Sequence, residues 1–188
     1  MRPRNPPARS LPTAWLMTDE RLGALVPVLR RLPPATGVVF RHGATPAGKR
    51  RTLLRQATRI AIARRLVLIA AGTPARDGLH GPGRPTDGIR SWSAHDRRQA
   101  LAGRRAGADV LFASPVFATR SHPGAVPIGP AAAAHIARGL APWVVALGGM
   151  TARRWRRIRH LGFDGWAAID AWQPRARQRA ASEPEGSA

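Results

Sequence analysis

Short apolar runs that alternate with stretches of helical spacing constrain this chain more than any single motif. The runs are Ala14–Met17, Gly37–Phe40, Leu66–Ala70, Gly78–His80, Ser91–Ser93, Val110–Phe117, Trp143–Leu147 and Trp166–Ile169, eight strand candidates in all. Between them, Arg21–Leu32 sets Leu22, Leu25, Val26 and Leu29 on one helical face, and Arg50–Arg64 does the same with Leu53, Leu54, Ala57, Ile60 and Ala61. Asp96–Ala106, Pro130–Leu140 and Thr151–Leu161 complete the helices, the last with Thr151 as N-cap. Strands alternating with helices imply a parallel sheet with helices outside it. Eight such strands predict a closed (β/α)8 TIM barrel rather than an open doubly wound sheet.

Length strains that prediction, because such barrels typically take about 250 residues and this chain has 188. Between Gly81 and Arg90 there is room for a loop but not for a crossover helix, and only a polar tail follows the last strand. The expectation is a trimmed barrel over residues 13–172, with one or two outer helices reduced or missing. Residues 1–12 and 173–188 lack periodicity and read as disordered tails, the first basic and the second polar. Trp92 and Trp166 are expected to fill the barrel interior.

Cysteine is absent, which excludes disulfides, thiolate metal sites and cysteine nucleophiles. No apolar run approaches a membrane span. The first 17 residues carry Arg2, Arg4 and Arg9 without a continuous apolar stretch, so a secretory leader is not expected and the chain reads as cytoplasmic. Its formal charge is +21, from 31 basic and 10 acidic side chains, with Lys49 the single lysine. Arginine clusters can neutralise nucleic-acid phosphates. Here they are scattered, however, and most fall in segments with helical spacing, where a solvated outer face is the ordinary explanation. Nonspecific adhesion to polyanions is the expectation from charge alone.

The stretch from Gly43 to Arg50 comes close to a nucleotide phosphate loop, with Gly43, Gly48 and Lys49 in register between a strand and a helix. Arg50 stands where a hydroxyl would hold magnesium, and Pro46 removes a backbone N–H. A strand-to-helix turn explains the segment better.

Ser91 to His95, Gly107 to His122, Pro127 to Gly129, Trp143 to Met150 and Gly162 to Asp170, in that order and spacing, resemble the thiamine-phosphate synthase family and its sister group of thiazole tautomerases. Trp15 to Asp19, Val38 to Arg41 and Asp77 to His80 fall where that family has strands 1, 2 and 4. The resemblance implies a (β/α)8 barrel with its site at the C-terminal strand ends. It also implies thiamine biosynthesis, with a phosphorylated thiazole and a magnesium-bound pyrimidine diphosphate as substrates of the synthases. The tautomerases rearrange a thiazole carboxylate phosphate without the diphosphate pocket.

Carried over by position, Gly148 and Gly149 match a phosphate-binding Gly-Gly, where bare N–H groups can approach an anion. Arg41, Ser93, Thr119 and Ser121 match further substrate-contacting positions. Asp170 stands where the family has a serine, so either its carboxylate turns away or the pocket holds no phosphate. The magnesium–diphosphate end departs further. Gly43 replaces a lysine, Ala70 and Ala71 replace an Asn-Asp pair, Arg84 or Pro85 replaces an acid, and His122 replaces a lysine. Mg2+ prefers carboxylate oxygens, and Asp87 is the one nearby substitute. His122 and His42 are the candidates for proton transfer, whereas His80 and His95 read as hydrogen-bonding residues. No spacing supports zinc. The reading is a synthase-like transferase with a degenerate diphosphate end. A tautomerase-like isomerase using His122, or an inactive phosphate-binding barrel, is the alternative.

Overall fold

The computed structural model describes residues 11–84, 87–119, 124 and 126–173. Strands β1 (Ala14–Met17), β2 (Gly37–Phe40), β3 (Val67–Ala71), β4 (Gly78–His80), β5 (Ile89–Ala94), β6 (Val110–Ala113), β7 (Trp143–Leu147) and β8 (Gly165–Ala168) form a closed parallel barrel in chain order. β8 pairs with β1 through Ala14↔Trp166 and Trp15↔Ala167. Among the described residues the outer layer has five helices: α1 (Leu25–Arg31), α2 (Ala47–Arg64), α3 (Arg97–Arg105), α4 (Pro130–Ala137) and α5 (Ala152–Ile158).

The expected first helix starts late. Glu20–Leu22 forms a separate 3-10 turn capped by Asp19, and Gly23, at φ 70°, breaks the path before α1. β6 stops at Ala113, four residues before the apolar run ends, and a cis Ser114–Pro115 bond follows. Leu11 and Pro12, expected in the first tail, pack instead against the barrel, where the Trp15 indole N–H donates to the Pro12 carbonyl at 2.6 Å. The rest of that tail, and the second tail beyond Gln173, lie outside the described residues.

Strand alternation sorts side chains to two sides of the sheet. Trp15 and Phe112 meet edge to face inside the barrel, 5.5 Å apart. A Cβ on Gly37 would overlap the Trp15 ring, so a glycine there makes the space that the indole fills. Trp92 and Trp166 do not fill the interior as expected. Each is aligned with an outward residue of its neighbour. Trp92 lies under α3, where Gly103 packs against it, and Trp166 stacks on Trp172 at 5.2 Å.

Two neighbouring crossovers have lost their helices. β3 reaches β4 through Gly72–Asp77, and β4 reaches β5 through Gly81–Gly88. Only the second was anticipated. Such short parallel connections close because β4 is brief and offset: Gly78 pairs with Ile69. The chain therefore retraces about two residues, roughly 7 Å, before pairing again. What a helix would cover is covered by loop. Arg90 points outward from β5 yet is 4% exposed. Its guanidinium donates to the carbonyls of Gly81 (3.3 Å), Gly83 (3.3 Å) and Arg84 (2.6 Å), folding that loop over Leu79. After β8 the described residues form the Asp170–Trp172 3-10 turn, and the Trp172 indole donates to the Trp15 carbonyl across the β8–β1 seam at 3.0 Å.

A repeated clamp fixes the opposite end of the barrel. Asp77, Asp109 and Asp164 each directly precede an even-numbered strand, and each holds the second residue of the preceding odd strand. The N–H groups of Leu68, Arg90 and Val144 donate to their carboxylates at 2.8, 2.8 and 2.7 Å. The aspartate N–H groups return bonds to the same residues' carbonyls at 3.0, 2.8 and 2.8 Å. Ahead of β2 the position is Thr36, whose hydroxyl turns to Pro33 instead. Asp109→Ala leaves the Arg90 N–H without an acceptor and is expected to cost about 1–3 kcal/mol. Asp109→Asn, which keeps a side-chain acceptor, should cost less. Urea unfolding midpoints measure both.

Candidate active site

The C-terminal strand ends surround a cavity of about 260 Å³. Its shape follows from which residue of each strand end turns inward. At β2, Arg41 turns in. Its Nε donates to the Thr18 carbonyl at 3.1 Å, and its Nη2 donates to Asp19 Oδ2 at 3.2 Å. Arg21 also holds Asp19, through Nη2 at 2.7 Å and through its backbone N–H at 3.0 Å. Burial lowers the Arg41 pKa and Asp19 opposes that shift, so the guanidinium stays a cation.

His42 turns the other way. It is 3% exposed, stacks on Phe40 at 4.6 Å and pairs through Nδ1 with the Thr18 hydroxyl at 3.0 Å. Burial pushes its pKa down. His42 lies beyond the end of β2, at φ 32°, with its ring held by Thr18 and Phe40 and not among the residues lining the cavity, so His42 is withdrawn as a proton-transfer candidate. The neighbouring loop likewise departs from a phosphate cradle. The Ala44 N–H and the Thr45 hydroxyl, which a phosphate would use, both donate to Glu20 Oε1 at 2.9 Å.

On the far side lie Gly148 and Gly149, at φ 97° and 59°. The loop after β6 runs directly across them: the Phe117 N–H donates to the Gly148 carbonyl at 3.1 Å, and a Cβ on Gly148 would stand 2.9 Å from Pro115 Cα. A Cβ on Gly149 would collide with the Ala118 carbonyl. Arg154 donates to the Gly149 carbonyl and lies over the Phe117 ring at 4.7 Å. With both carbonyls turned to protein partners, the glycine pair lines the cavity together with Thr119, Ser93 and Asp170. Asp170 therefore has not left the cavity wall. Ser121 and His122 lie outside the described residues. Asp87 is in the exposed β4–β5 connection and does not line the cavity.

Three further residues bear on the mouth: His95 and His80, read from sequence as hydrogen-bonding residues, and Asp19, which the sequence did not single out. His95 lines the cavity, with Nδ1 3.1 Å from the Ser114 carbonyl. Asp19 carries two guanidinium groups. His80 sits at the base of the mouth, with Nδ1 2.8 Å from Ser91 Oγ and Nε2 3.4 Å from Ser93 Oγ. The register could have shown this last group, since Ser91 is the aligned partner of His80 and Ser93 is the next inward residue. Burial, and secondarily the Arg41 charge, lowers the His80 pKa to about 4.

The donor set does not fit magnesium. Mg2+ is bound through carboxylates and waters in near-octahedral array. Asp19 is occupied by Arg21 and Arg41, Glu20 holds the 44–45 loop, and no group of three candidate ligands converges among the described residues.

Comparison with known proteins agrees with this geometry. Residues 85–172, which span β5 to β8, match the family model for thiamine monophosphate synthase. Over that stretch the chain resembles the thiamine-phosphate synthase family. It is 40% identical over 86 residues to the thiamine-phosphate synthase of Desulfitobacterium hafniense, covering 45% of this chain and 42% of that protein. It is 37% identical over 87 residues to that of Geobacillus thermodenitrificans, covering 45% and 39%. The chain thus spans about two-fifths of the length of the curated relatives it matches. The thiamine phosphate pyrophosphorylase structure from Pyrococcus furiosus shares the fold, with TM-score 0.70, 23% identity, and 86% of each chain covered.

The buried histidine sets a pH dependence. His80 binds a proton near pH 6.5 when unfolded but only near 4 when folded. Between those values the unfolded chain holds more protons, so stability is full above pH 6.5 and falls as pH drops toward 4, by roughly 3 kcal/mol. His80→Gln should remove that part of the slope in urea unfolding measured across the range.

Proposed function

We propose that this chain is a thiamine-phosphate-synthase-like protein that holds a phosphorylated thiazole in the barrel mouth, and that its chemistry there is proton transfer on the thiazole. The observation that carries this reading is convergence: Gly148–Gly149, Thr119 and Arg41 open onto one cavity, from β7, the loop after β6, and β2. The phosphate would sit against the glycine N–H groups and the Thr119 hydroxyl. Arg41 would meet a second anionic group, such as a carboxylate on the ring, with Asp19 and Thr18 holding its guanidinium in place. Asp170, in the turn after β8, lines the same cavity and would repel a phosphate set against it, so the phosphate would have to sit on the β7 side, at the glycines. His122 is the candidate base, taking a proton from a ring carbon while a proton is returned to a second carbon, so that the isomerisation conserves atoms as the thiazole becomes aromatic. A cytoplasmic setting fits this substrate class. No helix among the described residues is long and apolar enough to cross a membrane.

A second reading, full coupling to a pyrimidine diphosphate with release of diphosphate, is favoured by the family match over β5–β8 and by Arg41 and Ser93 sharing the cavity. Its difficulty is the donor set for magnesium.

Calorimetry with the thiazole phosphate, followed by turnover of the thiazole carboxylate phosphate, tests the proposal. Gly149→Ala is expected to weaken binding by about tenfold or more, equivalent to 1.4 kcal/mol. His122→Ala should bind normally while losing aromatisation. Binding without turnover in the unmodified chain would make it an inactive phosphate-binding barrel. Formation of thiamine phosphate from both precursors with magnesium would establish the synthase reading instead.

A further inference from the structure

The two abbreviated crossovers leave more than a covered strand. In a (β/α)8 barrel each helix is flanked by the next, but the flank of α2 that would meet a helix after β3 has no neighbouring helix among the described residues. In its place is an open groove of about 490 Å³ between α2 and the β3–β4 connection. Leu54 on α2 and Pro74 and Ala75 on the connection contribute its apolar part. Arg51, Arg55 and Arg59 line it from α2, and Arg76 faces them. The three helix arginines are spaced i, i+4, i+8, which sets them about 6 Å apart along one face.

A row of like charges at that spacing repels itself unless anions answer it. No carboxylate of the described residues does so. Arg55 is bonded to Thr52, and Arg76 reaches only Asp77, at 3.5 Å, whose other oxygen is held by the Leu68 N–H. Asp109 and Asp164 are used in clamps, Asp96 caps α3, and Asp19 and Glu20 are engaged at the mouth. Of the remaining described carboxylates, Asp170 lines the mouth cavity and Asp87 lies in the exposed β4–β5 connection, so a second copy of this chain, at formal charge +21, brings little complementary charge.

We propose that the groove docks an acidic amphipathic helix of a partner protein, taking the place of the missing crossover helix. Glutamates or aspartates four residues apart would face Arg51, Arg55 and Arg59, and one apolar side chain would cover Leu54, as in helix-in-groove recognition. Nucleic acid fits less well. No aromatic side chain lines the groove to stack a base, and a cleft with an apolar part favours a side chain over a sugar–phosphate backbone.

The experiment uses the full chain and three labelled probes of equal charge: a helical peptide with glutamates at every fourth position and a leucine stripe, the same composition broken by prolines, and oligothymidylate. Fluorescence anisotropy at about 0.15 M salt, where the Debye length is about 8 Å, reports affinity. Arg51→Gln/Arg55→Gln/Arg59→Gln is expected to weaken the helical peptide by about tenfold or more, a loss of 1.4 kcal/mol or above. Arg153→Gln/Arg156→Gln/Arg157→Gln, which removes the same charge from exposed positions on α5, should change it less than about twofold, within the range of small surface effects. Leu54→Ser should weaken it as well. Circular dichroism checks that each variant keeps its fold, and hydrogen exchange should show protection by the peptide confined to 51–59 and 74–76. Equal weakening by the two triple variants, equal affinity for the proline-broken peptide, tighter binding of oligothymidylate, or no binding of the helical peptide would each overturn the proposal.

Discussion

A closed parallel barrel has two surfaces to bury, and every strand must keep its outward side chains from water as well as its inward ones. With five helices around eight strands among the described residues, the barrel meets that requirement by three different means. α3, α4 and α5 cover β5 to β8 in the ordinary way. Across β4 and β5 a loop does the work, held by the buried Arg90 guanidinium on three carbonyls. At the β8–β1 seam a single turn brings Trp172 over Trp166. A buried arginine is costly without partners. Its fork of donors can, however, collect several carbonyls of an irregular loop at once, which no apolar side chain could do. The loop and the arginine thus depend on each other.

The aspartate clamps solve a related problem at the other end. A strand entering a parallel sheet has backbone groups beyond its last ladder bond, and buried groups of that kind must be paired. By placing an aspartate ahead of β4, β6 and β8, the chain satisfies an N–H and a carbonyl of the neighbouring odd strand with one residue. This also fixes the register of each strand pair. Register decides which residues face inward at the far end. The clamp at Asp77 therefore bears on whether His80 meets Ser91, and the one at Asp109 on whether Ser93 shares the cavity.

Much of the fold was legible because period and punctuation agree: Ala14–Met17, Gly37–Phe40 and Trp143–Leu147 have the boundaries their apolar runs suggest. What was not legible depended on facing. A run such as Trp166–Ile169 is apolar on both sides, so composition alone does not say whether its tryptophan fills the interior or lies beneath the outer layer. The helix face read over Arg21–Leu32 is real in part, yet Gly23 divides it. At the mouth, the family resemblance named Arg41, Ser93, Thr119, Gly148, Gly149 and Asp170, and these line one cavity. It also named His42, whose ring turns instead to Phe40 and Thr18, at a positive φ beyond β2 that no strand pattern announces. It passed over Asp19 because the value of a carboxylate there comes from Arg21 and Arg41 closing on it.

The barrel is unequal in its halves, and the inequality runs through both fold and site. The stretch matching the family model, residues 85–172, contains every complete strand–helix unit after β4, and it carries the glycine pair, Thr119 and His95. The half from β1 to β4 contains the two crossovers without a helix, and its carboxylates Asp19, Glu20 and Asp77 are tied to arginines or to loop and strand N–H groups. A carboxylate bound by two guanidinium groups cannot also serve a divalent cation without releasing one of them, and that release leaves a partly buried Arg41 uncompensated. The arrangement around Asp19 therefore favours keeping the Arg41 guanidinium fixed at the mouth over recruiting a metal to that carboxylate.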